Sequence, residues 1–377
     1  MKLLVLAQTP PPLHGQSAMV RTLVDGLPAR GIAVVHVNLA LSTDAADIGR
    51  WRPAKILRTA AAAVRAIAAR FRHSCDTLYY VPAPPKRGAL YRDWLVLALC
   101  RPFFRRTVLH WHAVGLGAWL PAHATAAERR LSRALLGRAH LALVLADTLR
   151  GDAEYFQPRR CAVVPNGIPD PGPPPPPAPP APAPAASCAL FFLGLGSAEK
   201  GLFAAAAAVL AANARLAAPS PAGAATSPPA FTLTAAGPFP DAATAARFAA
   251  LCAAHPGVLR HVGSLDAAGK RLHFAASHAL LLPTHYPAEG LPLVALEALA
   301  HDRPVIATRW RGLPDIVTTD VGQLVAPGDP AALADALVRF RSAPPPAGVC
   351  RARYLRHFTV DAHLEALAAA LRSVDPR

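Results

Sequence analysis

A proline-rich segment in the middle of the chain limits what its 377 residues can fold into. Between Pro169 and Pro184, 11 of 16 residues are proline, a composition that gives a stiff extended linker rather than a packed core. A single core rarely grows beyond about 250–300 residues, so the length also favours two domains. We therefore predict two domains joined by a linker at residues 169–188.

Short apolar runs alternate with helical stretches on both sides of this linker. In the first half the runs are KLLVLA, AVVHVNL, TLYYV, RTVLHWH, LALVLA and CAVVP. In the second half they are ALFFLGL, FTLTAAG, LRHVGS, ALLLPT, PVIAT and GQLVA. Strands that alternate with helices form βαβ units in a parallel sheet. The pattern therefore predicts an α/β protein.

The predicted architecture consists of two Rossmann-like, doubly wound domains that face each other across a cleft. The N-terminal domain spans residues 1–168 and the C-terminal domain residues 189–345. A C-terminal helical region at residues 346–377 is expected to pack back toward the N-terminal domain. In open sheets of this kind, ligands bind at the carboxyl ends of the strands.

Composition and cysteine spacing exclude several classes of protein. Apolar residues make up 53% of the chain, which excludes a mainly disordered protein. No apolar run reaches the roughly 18 residues that a membrane span needs. The six cysteines are scattered without a C-x-x-C pair, so neither a disulfide framework nor a zinc knuckle is predicted. A reducing cytoplasm is the expected compartment.

The excess of positive charge is concentrated in the first half of the chain. Residues 1–168 contain 23 Lys and Arg against 9 Asp and Glu, a net charge of +14. Residues 169–377 contain 16 against 14, a net charge of +2. The first half is therefore expected to face an anionic partner.

The densest basic segment, Arg50 to Arg72, contains seven basic residues and no acid. On a helix, its apolar residues at steps of three and four form one stripe, made of Leu57, Ala60, Val64, Ile67 and Phe71. Arg58, Arg65 and Arg72 recur on the face predicted to lie opposite. The helix either lies on an anionic membrane surface or packs its stripe on the sheet. Nucleic acid is disfavoured because no recognised binding motif is present.

The most informative motif is LLLPTHYPAEGLPLVALEALAHDRPVIAT. A strand is predicted to end at Pro283, a loop carries Glu289, and a helix starts near Pro292. The free N–H groups of Gly290–Leu293 and the positive helix end suit a phosphate group. Glu297 borders the apolar side of this helix, where a carboxylate needs a partner such as a sugar or ribose hydroxyl.

This block, with its E-x7-E spacing and the following RGLPDIV, resembles the donor-binding region of the family 4 retaining glycosyltransferases. Those enzymes have the GT-B fold, and the resemblance extends over essentially the whole chain. It implies that Glu289 contacts the donor sugar and that Glu297 binds the ribose of the nucleotide. It also implies that sugar and diphosphate are held by the loop amides of Gly290, Leu291 and Leu293.

A second segment, LFFLGLGSAEKGL, resembles the turn that supplies a basic pair to the diphosphate in this family. Lys200 matches the lysine of that pair. Leu195 stands where the family usually has an arginine, which removes one of two cations. Arg309 and Arg311 are candidates to compensate for it.

The N-terminal segment LLVLAQTPPPLHGQSAMV predicts a strand, a tight turn and a helix, with Ser17 as the N-cap of that helix. Gly15 would let the backbone approach a phosphate or an acceptor closely. The family usually has paired glycines here, whereas this chain has His14 and Gly15.

The run RTVLHWHAVGLG places His110 and His112 on the same face of a strand, at its carboxyl end. Zinc is rejected because no third ligand is evident. By resemblance, His112 matches the family's active-site histidine, whereas His110 is interpreted as structural. VVPNGI matches the motif before the interdomain linker, although an Asn-Gly turn at Asn166 explains it without any ligand.

Taken as a whole, the resemblance implies a bacterial retaining hexosyltransferase that uses a nucleotide-diphosphate sugar. The acceptor would be lipid-linked or a saccharide, in the synthesis of a cell-surface polysaccharide such as lipopolysaccharide or capsule. The implied catalytic residues are His112, Lys200 and Glu289. Neither a metal nor a cofactor is expected, since no Asp-x-Asp motif is present. The expected location is cytoplasmic, including the inner face of the membrane.

Two other interpretations stay open from the sequence. A non-catalytic GT-B scaffold or binding protein would explain the missing arginine at Leu195. A GT-B nucleotide-sugar epimerase would share the fold but need no acceptor.

Overall fold

The computed structural model describes residues 1–12, 15–39, 53–172, 187–217 and 228–374. The chain forms two compact units. The first comprises Met1–Gly167, Pro287–Leu291 and Thr359–Arg377, and the second comprises Ile168–Tyr286 and Pro292–Phe358. Most of the predicted linker and of the alanine- and proline-rich stretch before residue 228 lies outside the described residues.

The first unit contains a parallel sheet with the strand order β2-β1-β3-β4-β5-β6 in its described residues. The strands are β1 (Lys2–Ala7), β2 (Ala33–Asn38), β3 (Thr77–Tyr80), β4 (Arg106–Trp111), β5 (Leu141–Val144) and β6 (Cys161–Val163). The α-helices are α1 (Gly15–Gly26), α2 (Pro53–Arg72), α3 (Arg87–Cys100), α4 (Leu116–His123), α5 (Ala126–Leu136), α6 (Arg150–Glu154) and, far along the chain, α14 (Val360–Arg372).

The second unit contains a parallel sheet with the order β12-β11-β10-β7-β8-β9. Its strands are β7 (Cys188–Leu193), β8 (Phe231–Ala236), β9 (Leu259–His261), β10 (Ala279–Leu282), β11 (Val305–Thr308) and β12 (Gly322–Val325). Its α-helices are α7 (Leu202–Leu216), α8 (Ala242–Ala254), α9 (Ala267–Ala275), α10 (Leu293–Ala300), α11 (Leu313–Ile316), α12 (Pro330–Ser342) and α13 (Val349–His357).

The central strands are buried along most of their length because helices cover both faces of each sheet. All four residues of β10 are buried, and so are Leu3, Leu4, Val5 and Leu6 of β1. Continuous burial of this kind distinguishes a covered parallel strand from the alternating pattern of a half-exposed one. Each apolar run singled out in the sequence forms a strand, and the two-domain α/β class is confirmed.

Helix α14 completes the core of the first unit. Leu364, Leu367 and Leu371 pack in one cluster with Leu3 and Val5 of β1, although more than 350 residues separate these segments in sequence. Helix α13, by contrast, belongs to the second unit.

Of the two interpretations of the basic helix α2, the one that packs its apolar stripe on the sheet is wrong. Its packed face consists of small residues, with Thr59, Ala62, Ala63 and Ala66 buried. Leu57, Val64 and Phe71 of the predicted apolar stripe are exposed instead. Alanine side chains let the helix approach its neighbour α3 closely, as shown by the Cys100 thiol lying 3.8 Å from the Ala63 carbonyl oxygen.

None of the described helices is both long enough and apolar enough to cross a membrane.

Candidate functional site

The carboxyl end of β4 carries two imidazoles in contact, with their ring planes tilted by 42°. The ring centroids of His110 and His112 are 4.1 Å apart, and both side chains are buried. The hydroxyl of Tyr79, on the neighbouring strand β3, hydrogen-bonds to His110 Nδ1. The alternation of side chains along a strand places residues 110 and 112 on one face, which is why the pair meets.

Burial determines the protonation of this cluster. It lowers the pKa of His110 well below its usual value, and the neighbouring His112 and His363 lower it further. Burial also raises the pKa of Tyr79, so its hydroxyl stays protonated beside His110 Nδ1. His110 is therefore a neutral imidazole. Nε2 has no hydrogen-bond partner among the described residues.

The loop Pro287–Leu291 belongs to the first unit and lies against the end of β4. Glu289 is buried there with 7% of its surface exposed. Any Cβ at Gly290 would overlap the carbonyl oxygen of His112 and come within 3.1 Å of Leu145. The glycine is thus required for close approach, and it brings the loop that carries Glu289 against the backbone of His112.

Asn166 fixes the same loop. Its Nδ2 donates to the Leu291 carbonyl oxygen at 3.1 Å, and the side chain is buried. The adjacent Gly167 lies so close to helix α14 that a Cβ would overlap the Thr359 carbonyl oxygen. Asn166 therefore holds the Glu289 loop, a function beyond the turn that the sequence indicated, while Gly167 allows the close approach of α14.

The first βα turn differs from the prediction at Ser17. Helix α1 begins at Gly15, two residues before the predicted N-cap, and the Ser17 hydroxyl donates to the Pro12 carbonyl oxygen at 2.8 Å. Gly15 is exposed at the helix start. His14, which replaces the usual first glycine, lies outside the described residues.

In the second unit, Lys200 lies in the turn between β7 and α7. Its Nζ is 4.9 Å from the centroid of the Tyr286 ring, and its backbone N–H donates to Ser197 Oγ at 3.2 Å. The next residue, Gly201, has a φ of +88°, and a Cβ there would overlap the Pro283 carbonyl oxygen. The loop after β10 therefore packs on this turn and positions the lysine.

Leu195 stands in the turn where the resemblance leads one to expect an arginine. Leu195 is 39% exposed in this turn. Arg309 is exposed directly after β11, and the Arg311 guanidinium lies 5.1 Å from the centroid of the Trp310 ring. The loops after β10 and β11 are joined by the Trp310 indole N–H, which donates to the Tyr286 carbonyl oxygen at 2.9 Å.

Glu297 lies on α10 and is paired with a lysine that sequence reasoning missed. Lys270 Nζ on helix α9 is 2.9 Å from Glu297 Oε1 and 3.2 Å from Oε2. The two side chains are 34% and 24% exposed respectively, so solvent screens the pair only in part. The sequence indicated that this carboxylate needed a partner, but nothing in the segment around Lys270 identified it.

The predicted site residues thus fall into two groups. The first unit brings together His112, Glu289, Gly290 and Leu291, and also contains Gly15. The second unit contains Lys200, Leu293 and Glu297, where Lys200 contacts Tyr286 and Glu297 contacts Lys270. Tyr79 and Lys270 join these groups as residues that the sequence did not single out. Asn166, which the sequence indicated only as a turn residue, contacts the Leu291 carbonyl oxygen. Among the described residues, no cluster of three or more His, Cys, Asp or Glu side chains has an arrangement suited to a metal ion.

Comparison with known proteins gives a family match that covers most of the second unit and also the loop Pro287–Leu291 of the first. Residues 199–342 match the family model described as glycosyl transferases group 1. The matched segment begins one residue before Lys200 and includes Lys270, Glu289 and Glu297. No curated protein sequence matches the chain.

The fold matches solved structures over essentially its whole length. Sucrose-phosphate synthase from Thermosynechococcus elongatus is 19% identical, with a TM-score of 0.73 and 99% of each chain covered. HepE from Anabaena, solved in complex with UDP-glucose, is 16% identical, with a TM-score of 0.65 over 99% of this chain and 100% of that one.

A third similar structure is the lipopolysaccharide outer core galactosyltransferase WaaB in its apo form. It is 14% identical, with a TM-score of 0.65 and 99% of each chain covered. The structural likeness shows the GT-B fold, and the family match supports a glycosyltransferase.

Proposed function

We propose that this protein is a retaining glycosyltransferase that transfers a hexose from a nucleotide-diphosphate sugar to a lipid-linked or saccharide acceptor. One observation carries the proposal. The segment that matches the group 1 glycosyl transferases contains the cation and both carboxylates expected to bind the donor, Lys200, Glu289 and Glu297. Each occupies a defined place at a turn, a buried loop or a helix near the carboxyl ends of strands.

The residues of the second unit are suited to the nucleotide diphosphate. The half-buried ammonium of Lys200 follows strand β7 and would neutralise charge that develops on the diphosphate during departure. Glu297 would accept hydrogen bonds from the ribose hydroxyls. Lys270 occupies both of its oxygens from one side, and a carboxylate has lone pairs left for hydroxyl donors.

The residues of the first unit are suited to the sugar. Glu289 is a buried acceptor for sugar hydroxyls, and Gly290 holds it against the strand that bears His112. His112 would contact the reacting sugar or the acceptor hydroxyl.

The proposed reaction keeps the configuration of the anomeric carbon. The acceptor attacks from the side of the leaving group, and its proton passes to an oxygen of the departing diphosphate. The protein then acts by positioning two substrates and by stabilising the leaving group, with neither metal nor cofactor in the proposal.

The similar structures support the substrate class. HepE was solved with UDP-glucose and WaaB is a lipopolysaccharide galactosyltransferase, which favours a UDP-hexose and a bacterial cell-surface polysaccharide for this chain. The net charge of +14 on residues 1–168 favours an anionic lipid-linked acceptor, encountered at the cytoplasmic face of the membrane.

Calorimetric titration of the full chain with UDP- and GDP-linked hexoses and N-acetylhexosamines tests the donor site. We expect one donor to bind without added metal and Glu297→Gln to raise its Kd about thirtyfold, since a charged hydrogen-bond acceptor contributes about 2 kcal/mol. Glu365→Gln is the matched control, because Glu365 is an exposed carboxylate on helix α14. Absence of binding by every donor in the panel would contradict the proposal.

A second measurement separates the transferase from the alternatives. Exposed Leu195 in place of the usual arginine favours a scaffold, which would bind donor without turnover. An epimerase would convert the donor with no acceptor present. We expect acceptor-dependent release of the nucleotide diphosphate and, by NMR of the product, the same anomeric configuration as in the donor.

A further inference from the structure

The outer face of helix α2 presents large apolar side chains to solvent. Leu57 is 75% exposed, Val64 60% and Phe71 63%. The three residues are seven positions apart, so they line up along one side of the helix. Soluble proteins expose single apolar residues routinely, whereas an aligned row on one face marks an interaction surface.

A row of arginines runs beside this apolar row. Arg58, Arg65 and Arg72 each follow one of the three apolar residues and lie about 100° further around the helix. All three are exposed. Helix α2 contains no acidic residue, so every charged side chain that it contributes to this face is basic. The exposed side of α2 is thus apolar along one edge and basic along the other.

The segment after helix α3 extends the apolar row. Phe103 is 44% exposed, and its ring packs edge-on against Phe71 with the centroids 6.2 Å apart. Arg70 Nε donates to the Phe103 carbonyl oxygen at 3.1 Å, and its guanidinium lies 5.6 Å from the Phe71 centroid. The two phenylalanines are therefore held in place at the surface instead of being turned inward.

We propose that this face, defined by Leu57, Val64, Phe71 and Phe103 with Arg58, Arg65 and Arg72, docks on an anionic lipid bilayer. The apolar row would enter the boundary between headgroups and acyl chains, and the arginines would bind lipid phosphates beside it. A helix that lies in the plane of the membrane–water interface needs apolar side chains along one edge of its exposed side and basic side chains along the other. The proposal does not rest on the glycosyl-transfer activity, since it concerns a surface and not the donor residues.

Charge favours a lipid surface over the other possible occupants. A second copy of the chain would place arginines against arginines, which repels. Duplex nucleic acid would use the arginines but would leave Leu57, Val64 and Phe71 in water. An anionic bilayer satisfies both rows at once, because it offers phosphates and an apolar layer within a few ångströms of each other.

Vesicle co-sedimentation of the full chain tests the proposal. The probes are vesicles of phosphatidylcholine alone and vesicles with 30% phosphatidylglycerol, at about 0.1 M salt. We expect binding to the anionic vesicles only. Replacing Arg58, Arg65 and Arg72 with Gln is expected to weaken partitioning about a hundredfold, since each basic residue near an anionic surface contributes about fivefold.

The apolar row is tested separately by Leu57→Gln, Val64→Gln and Phe71→Gln in one protein, with an expected loss of at least tenfold. These side chains are exposed, so the core is left intact. The matched control replaces Arg247, Arg260 and Arg356, three exposed arginines of the second unit, with Gln and changes the net charge equally. We expect this control to bind as the unmodified chain does.

Several outcomes would overturn the proposal. These are equal binding to both kinds of vesicle, an equal loss in the control variant, no effect of the apolar substitutions, tighter binding to duplex DNA than to vesicles, or a dimer broken by the apolar substitutions. Donor titration in solution, without vesicles, reports on the proposed function independently. If the chain binds donor but not lipid, only the membrane-docking proposal is contradicted. If it binds lipid but not donor, only the proposed function is contradicted.

Discussion

The two groups of candidate site residues differ in how their polar atoms are stabilised. In the first unit, Tyr79 and His110 form a buried and neutral hydrogen-bonded pair beside His112. In the second unit, Lys270 and Glu297 form a charged pair that is partly open to solvent. The first arrangement depends on burial and the second on charge, so they respond to different perturbations.

This difference suits the proposed reaction if the residues of the first unit orient the sugar and those of the second bind the nucleotide. Buried neutral groups hold their geometry without attracting counter-ions, which suits a residue that orients a sugar. A partly exposed ion pair adjusts more readily, which suits a residue that binds and releases a nucleotide. The three predictions below examine whether the two groups separate in this way.

The largest expected effect comes from the first unit. We expect His112→Gln to lower kcat/KM about a thousandfold, because a positioned group that acts on the reacting atoms typically contributes factors of this size. The donor Kd measured by calorimetry should change by less than about threefold. His123→Gln, at an exposed histidine of helix α4, is the control. If the donor Kd rises by as large a factor as kcat/KM falls, His112 binds the donor. The two groups of residues would then not differ in the way proposed.

The buried histidines make the stability of the chain depend on pH. Burial lowers the pKa of His363 to about 4, with Arg30 nearby lowering it further and the Pro165 carbonyl opposing the shift. In the unfolded chain its pKa is near 6.5, so below that pH the unfolded state binds the proton and the native state does not. The free energy of unfolding should therefore fall by about 2 kcal/mol for this group between pH 7 and pH 5.

Urea unfolding at both pH values checks this expectation. His363→Gln removes the titrating group, so its stability should lose about 2 kcal/mol less over the same interval. His123→Gln should keep the full dependence. If the free energy of unfolding of His363→Gln falls as much between pH 7 and pH 5 as that of the unmodified chain, His363 is more accessible to protons than its burial indicates.

The smallest effect is expected at the charged pair. We expect Lys270→Met to raise the donor Kd about fivefold, because Glu297 loses the group that holds both of its oxygens. Lys270→Arg should restore affinity to within about twofold. Calorimetry measures both. A Kd that falls in Lys270→Met would show that the lysine competes with the donor for the carboxylate.

The fold was largely predictable because a buried strand is recognisable from a short segment of sequence. Each strand is a short apolar run whose neighbours along the chain are helical, and parallel sheets follow from that alternation. Most of the candidate donor residues followed from one compact motif at residues 281–317, and Lys200 and Gly15 followed from two other turns after strands. Partners brought in by tertiary packing carried no such signal: Lys270 lies 27 residues before Glu297, and Tyr79 lies 31 residues before His110.

The orientation of α2 shows where periodicity fails as a guide. Its large apolar residues form a regular stripe, and a stripe normally marks the buried face. Here the tightly packed neighbour admits only alanine and threonine, so the small residues turn inward and the large ones face water. Hydrophobicity alone does not distinguish these two cases, because the space available to the helix decides between them.

The position of helix α14 sets an order of assembly during synthesis. Leu364, Leu367 and Leu371 fill the core of the first unit, yet they are translated after the whole second unit. When residue 167 has left the ribosome, every strand of the first unit's sheet has been synthesised. Helix α14, which covers one apolar side of that sheet, has not yet been made. The N-terminal half therefore emerges first but reaches its final packing last, and its folding is complete only after the C-terminal half has been made.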